Sequence, residues 1–157
     1  MNITTKQLQK VKKHYEALKE YREFIQNVEF NFDVEEFKKL DTPKKAVLEA
    51  YLKRFSSLQD YLGAKVFKSL LDMAGISYSK MSEVLILIEK EDIVSLDMWI
   101  EFRNVRNDLE HDYPDELEEA LSDLKYCFDS FEYMQEVVIK VFEFARRYDE
   151  SISLYKK

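Results

Sequence analysis

At 157 residues, 46% apolar and 35% charged, the chain has the size for one hydrophobic core, and it is too apolar to stay disordered and too interrupted by charge to be a membrane protein. Lysine and arginine number 24 against 31 aspartate and glutamate, a net charge of −7. That balance excludes a nucleic-acid binder that wraps the phosphate backbone, because wrapping needs a cationic surplus.

Two glycines and two prolines leave few of the turns a strand-rich fold requires, so the predicted fold class is all-α. No apolar run approaches the ~20 residues of a spanning helix, and the first residues lack the apolar core of a signal peptide, so a cytoplasmic protein with no membrane association is expected. The single cysteine, Cys127, lies on a helical apolar pattern and reads as a small core residue.

The first predicted helix runs from about Thr5 to Glu29, with Thr4 and Gln7 at capping-box spacing and Leu8, Val11, Tyr15, Leu18 and Ile25 as its buried stripe. Arg22 breaks that stripe, which Tyr21, Phe24 and Val28 take over. Lys6, Lys10, Lys12, Lys13 and Lys19 make this helix basic, and His14 on it reads as solvated or salt-bridged. A polar linker through Phe37 to Asp41 follows. Thr42 then serves as N-cap with Pro43 at the first helical position. Leu48, Tyr51, Phe55, Leu58, Leu62, Val66, Leu70 and Met73 carry a long second helix to a left-handed cap at Gly75. Gly63 within it costs about 1 kcal/mol relative to alanine, which predicts close packing there.

Ser79 caps a short third helix through Lys90, with Val84, Leu85, Leu87 and Ile88 buried. Ser95 opens a fourth helix through Trp99, Phe102, Val105 and Leu109, which must end by about Asp112 because Pro114 pushes Tyr113 out of helical geometry. Pro114 begins the last helix, on which Leu121, Leu124, Phe128, Phe131, Val138, Phe142 and Ala145 follow a heptad interrupted by Gln135. Cys127, Met134, Val141 and Tyr148 make a second stripe beside it. So wide an apolar face fits either a central place in the bundle or a dimer interface.

The densest cluster of functional groups is Arg106-Asn107-Asp108-Leu109-Glu110-His111-Asp112-Tyr113, at the predicted end of the fourth helix. An imidazole can take a proton from a ribose 2′-hydroxyl or return one to a leaving 5′-oxygen, and an arginine fork matches a phosphate. Together they suffice for transesterification without a metal. One histidine among scattered aspartates is not a zinc pattern, and no glycine-rich phosphate loop or serine elbow is present. The same residues also fit a solvated helix end, since Arg106 and Glu110 stand at i,i+4. On a regular helix Arg106 and His111 are about 140° out of phase. Either a bend before Pro114 brings His111 round, or the two residues meet across a dimer.

Arg106-Asn107, three residues, His111, one residue and Tyr113 resemble the signature of the HEPN superfamily, specifically the HepT-like toxins of HEPN/MNT toxin-antitoxin modules. The likeness extends to Leu58-Gln-Asp-Tyr-Leu-Gly-Ala-Lys-Val-Phe67, Trp99, Arg103 and the His-Asp-Tyr-Pro-Asp run, covering roughly Pro43 to Ala145. It implies a single domain over residues 1–157, a four- to five-helix antiparallel bundle with core 43–145 and the helix 5–29 packed on it, forming a homodimer. The implied activity is metal-independent RNA cleavage with no cofactor. His111 would be the acid/base group, Arg106 the phosphate-stabilising cation, Asn107 a supporting polar residue, and Tyr113 the hydroxyl that a cognate MNT-type nucleotidyltransferase antitoxin adenylylates using ATP and magnesium. Many relatives carry glycine where Asp112 stands, so this chain adds a negative charge beside the phosphate. The alternative is a non-catalytic partner or substrate-binding subunit of a minimal nucleotidyltransferase, which the acidic rim of Asp108, Glu110, Asp112, Asp115, Glu116, Glu118 and Glu119 favours.

Overall fold

The computed structural model describes residues 2–112 and 116–155, and the backbone alone for residues 3, 110, 111 and 112. Every regular element among the described residues is helical. Helix α1 (Ile3–Val28) starts two residues earlier than the sequence predicts, because Asn2 rather than Thr4 is the cap: its side-chain oxygen accepts the Thr5 backbone N–H at 2.8 Å. The predicted polar linker contains a helix of its own, α2 (Val34–Lys39), capped by Asp33 accepting from the Glu36 N–H. Asp41, not Thr42, caps α3 (Thr42–Tyr61), which leaves Pro43 free in the first turn, where no N–H is needed. This helix passes through a π-helical turn (Leu62–Val66) into α4 (Phe67–Met73), and Gly75 closes the run at φ 70°.

Helix α5 (Met81–Lys90) has Lys80 at its N-cap, while Ser79 bonds instead to the Glu83 carboxylate through its N–H (2.8 Å) and hydroxyl (3.0 Å). Helix α6 spans Leu96–Asp112. The predicted last helix is two, α7 (Leu117–Asp129) and α8 (Phe131–Tyr148), broken at Ser130, whose hydroxyl donates back to the Tyr126 carbonyl at 2.7 Å. Pro114, the predicted first residue of that helix, lies outside the described residues.

Helix α1 lies between two antiparallel neighbours. Lys10 sits over Tyr61, His14 meets Arg54, and Ile25 shares a crevice with Leu48, so α1 and α3 run in opposite directions. On its other side Arg22 covers Phe131, Tyr15 meets Gln135, and Leu8 lies near Phe142, which sets α8 antiparallel too. Arg22 thus interrupts the apolar stripe with a purpose: its guanidinium stacks 4.6 Å over Phe131 and 5.2 Å over Phe128. Phe24, expected to continue the stripe, is exposed, and Ile25 is buried. The surplus stripe of the last predicted helix is consumed within the chain, since Cys127, Met134 and Val141 are all fully buried. Its end, Tyr148, is exposed. Among the described residues no helix is long and apolar enough to cross a membrane.

Candidate functional site

Helix α6 turns Phe102 and Leu109 into the core, so that Arg106, one turn from each, lies along the seam with α3. Its side chain is 15% exposed. Arg106 Nη1 donates to Gln59 Oε1 at 2.8 Å and to Asp60 Oδ1 at 3.3 Å. Its Nε is buried and makes no hydrogen bond among the described residues.

Beside this guanidinium opens a cleft of about 140 Å³, bounded by Gln59 and Gly63 on one wall and Trp99, Arg103 and Arg106 on the other, with Met81 and Leu85 of α5 at its rim. The close wall is at Gly63, within the π-helical turn. A Cβ on Gly63 would lie 3.1 Å from Trp99 Nε1, so only glycine lets the indole pack here without adjustment, as the sequence predicts for that position. Trp99 itself is held by Phe67 (centroids 5.1 Å apart) and Phe102 (5.9 Å).

The remaining predicted site residues are distributed differently. Asn107 is exposed on the solvent side of α6. The backbone of position 111 belongs to α6, which is helical without interruption from Leu96 to Asp112. Positions 106 and 111 therefore stay about 140° apart around one helix axis, and no bend within that span brings them together. The His111 side chain and the whole of Tyr113 lie outside the described residues. Among the described residues there is no group of three or more His, Cys, Asp or Glu side chains that could hold a metal ion.

Two residues of the site carried no role in the sequence reading: Gln59 and Asp60. A signal for Gln59 was present, because it lies four residues after Phe55 and three before Leu62, on the face that is otherwise apolar. His14 also differs from expectation. Partly buried, it meets a cation instead of a carboxylate: its Nδ1 accepts from Arg54 Nη1 at 3.1 Å, and burial, Arg54 and Lys10 all hold its pKa below the ordinary 6.5.

Compared with known proteins, the chain matches no family model, no curated protein and no solved structure.

Proposed function

We propose that the chain is a metal-independent endoribonuclease of the HEPN type, the toxin of a toxin-antitoxin pair, acting as a homodimer in which Arg106 of one copy and His111 of the other face one phosphate. The observation that carries this reading is the setting of Arg106: a guanidinium fixed at the edge of a cleft beside Arg103, on an uninterrupted helix whose phase keeps position 111 on another side. A site shared between copies resolves that phase difference.

In the reaction, the His111 imidazole takes the ribose 2′-hydroxyl proton, and the freed oxygen bonds to the adjacent phosphorus. The bond from phosphorus to the 5′-oxygen breaks, and that oxygen receives a proton from the imidazolium just formed, which returns His111 to its neutral form and leaves a cyclic 2′,3′-phosphate. Arg106 offsets the negative charge that gathers on the phosphoryl oxygens, and Asn107 supports the site from the exposed side of α6. Tyr113 is the acceptor for adenylylation by a nucleotidyltransferase antitoxin, which switches the toxin off.

One observation favours a second reading. Asp60 already offsets the Arg106 charge at 3.3 Å, in a chain of net charge −7. On that reading the protein is a non-catalytic subunit that presents Tyr113 or a small substrate to a nucleotidyltransferase.

Incubating the purified protein with RNA separates the two. The nuclease reading expects cyclic 2′,3′-phosphate ends, reduced about 100-fold or more in His111→Ala and in Arg106→Ala. Mixing the two inactive variants restores part of the activity if the site is shared between copies. Intact RNA with the wild-type protein supports the second reading.

A further inference from the structure

We infer that Gln59 is the positioning residue for Arg106, and that its lack of charge is what the site requires: it fixes the guanidinium while leaving the positive charge available to a phosphate. This rests on the reading of Arg106 as the phosphate-stabilising cation.

Gln59 is 3% exposed, the one amide or charged side chain that is fully buried among the described residues. It occupies the apolar stripe of α3 between Phe55 and Leu62, where a hydrophobic residue would cost nothing in desolvation. Its Oε1 meets Arg106 Nη1 at 2.8 Å, the shorter of the two bonds that hold the fork. A glutamate of the same shape would accept the same hydrogen bond, but it would also set a buried counter-charge against the arginine.

Asp60 acts differently although it is the next residue. Its side chain is 68% exposed and stands 3.3 Å from Nη1, so water screens its charge and the contact can be exchanged for an incoming phosphate. The neutral, buried partner holds direction, and the charged, exposed partner is displaceable. Exchanging the charges of these two neighbours should therefore move function in opposite directions, whereas a purely structural pair would respond alike.

The experiment compares wild type, Gln59→Glu, Gln59→Met and Asp60→Asn in the full chain. It measures kcat and KM on an RNA oligonucleotide, affinity for the uncleavable 2′-O-methyl form of the same sequence, and thermal melting. Gln59→Glu is expected to melt no lower than wild type, yet to lose about tenfold or more in kcat and to bind the 2′-O-methyl RNA more weakly. Asp60→Asn is expected to shift kcat and binding the other way. Should Gln59→Glu not fold, Gln59→Met, of similar volume and without the acceptor oxygen, lowers kcat while KM changes less. Unchanged kcat and binding in the Gln59 variants overturn the inference, as does an Asp60→Asn loss equal to that of Gln59→Glu. If the wild type leaves RNA intact, the binding order decides alone: Asp60→Asn tighter than wild type and wild type tighter than Gln59→Glu keeps the role of Gln59 while the nuclease reading falls. RNA cleavage with a flat variant series does the reverse.

Discussion

Gln135 Nε2 donates to the Tyr15 hydroxyl at 2.6 Å, joining α8 to α1 across 120 residues of sequence. This one polar residue in the heptad of the last predicted helix is placed where the Tyr15 ring stacks on Phe131 at 5.7 Å and meets Tyr155 edge-on at 5.3 Å. Replacing Gln135 by leucine removes the hydrogen bond and is expected to lower stability by about 0.5–1.5 kcal/mol. The double variant Tyr15→Phe with Gln135→Leu should lose less than the sum of the two single changes, because the second change removes a partner already missing. Urea denaturation of the four proteins in the cycle measures this, and simple additivity would show that the pair contributes nothing.

Tyr51 makes the corresponding contact at the end of α7. Its hydroxyl donates at 2.9 Å to the carbonyl of Cys127, which lies in the last turn of the helix, where carbonyls lack a partner further along it. Both residues are fully buried, so Tyr51→Phe leaves that carbonyl without this donor and should destabilise by about 1–3 kcal/mol. Calorimetry reads the shift in Tm, and a Tm equal to wild type would mean that another group takes over the carbonyl.

The long helices were legible because apolar spacing in α1, α3, α4 and α6 maps directly onto the buried faces, from Leu8 and Val11 to Phe102 and Leu109. Two features were not. Helix α2 has no fully buried residue to produce a stripe, and its one sequence mark is the Asp33–Glu36 spacing of a cap. The break at Ser130 carries no glycine or proline; Ser130 adopts φ −85° and ψ 2°, which any residue reaches, and the apolar pattern continues through it from Phe128 to Phe131. In the site, Arg106 was visible from its motif. Gln59 was visible only as a polar exception on an apolar face, and its pairing with Arg106 depends on how α3 and α6 cross, which local spacing does not encode.

His14 predicts the sign of one pH effect. Burial, then Arg54, then Lys10 hold its folded pKa below the ordinary 6.5, so the folded state favours the neutral ring, consistent with Nδ1 accepting from Arg54. Between the folded value and 6.5 the unfolded chain binds more protons, and stability rises with pH across that window. The contribution is fully present above the unfolded value and is lost as pH falls through the folded one. Wild-type Tm should therefore drop more steeply than that of His14→Gln as pH is lowered from neutrality through this range. Parallel Tm profiles for the two proteins would remove His14 as the cause.

Gly63→Ala tests the closeness of the π-helical turn and α6 at the cleft. In an open helix the change would stabilise by about 1 kcal/mol through lower backbone entropy in the unfolded chain. Here the new methyl group would meet Trp99 Nε1 at 3.1 Å, and the indole is wedged between Phe67 and Phe102 with 2% of its surface exposed. The ring cannot retreat without disturbing both partners, so overpacking, at about 1–3 kcal/mol, outweighs the helical gain. Net destabilisation is the expected result, accompanied by a change in emission from Trp99, the only tryptophan in the chain. A variant that melts higher than wild type with unchanged emission would show that the wall of the cleft yields. The Arg106 setting would then owe its rigidity to Gln59 rather than to the glycine contact.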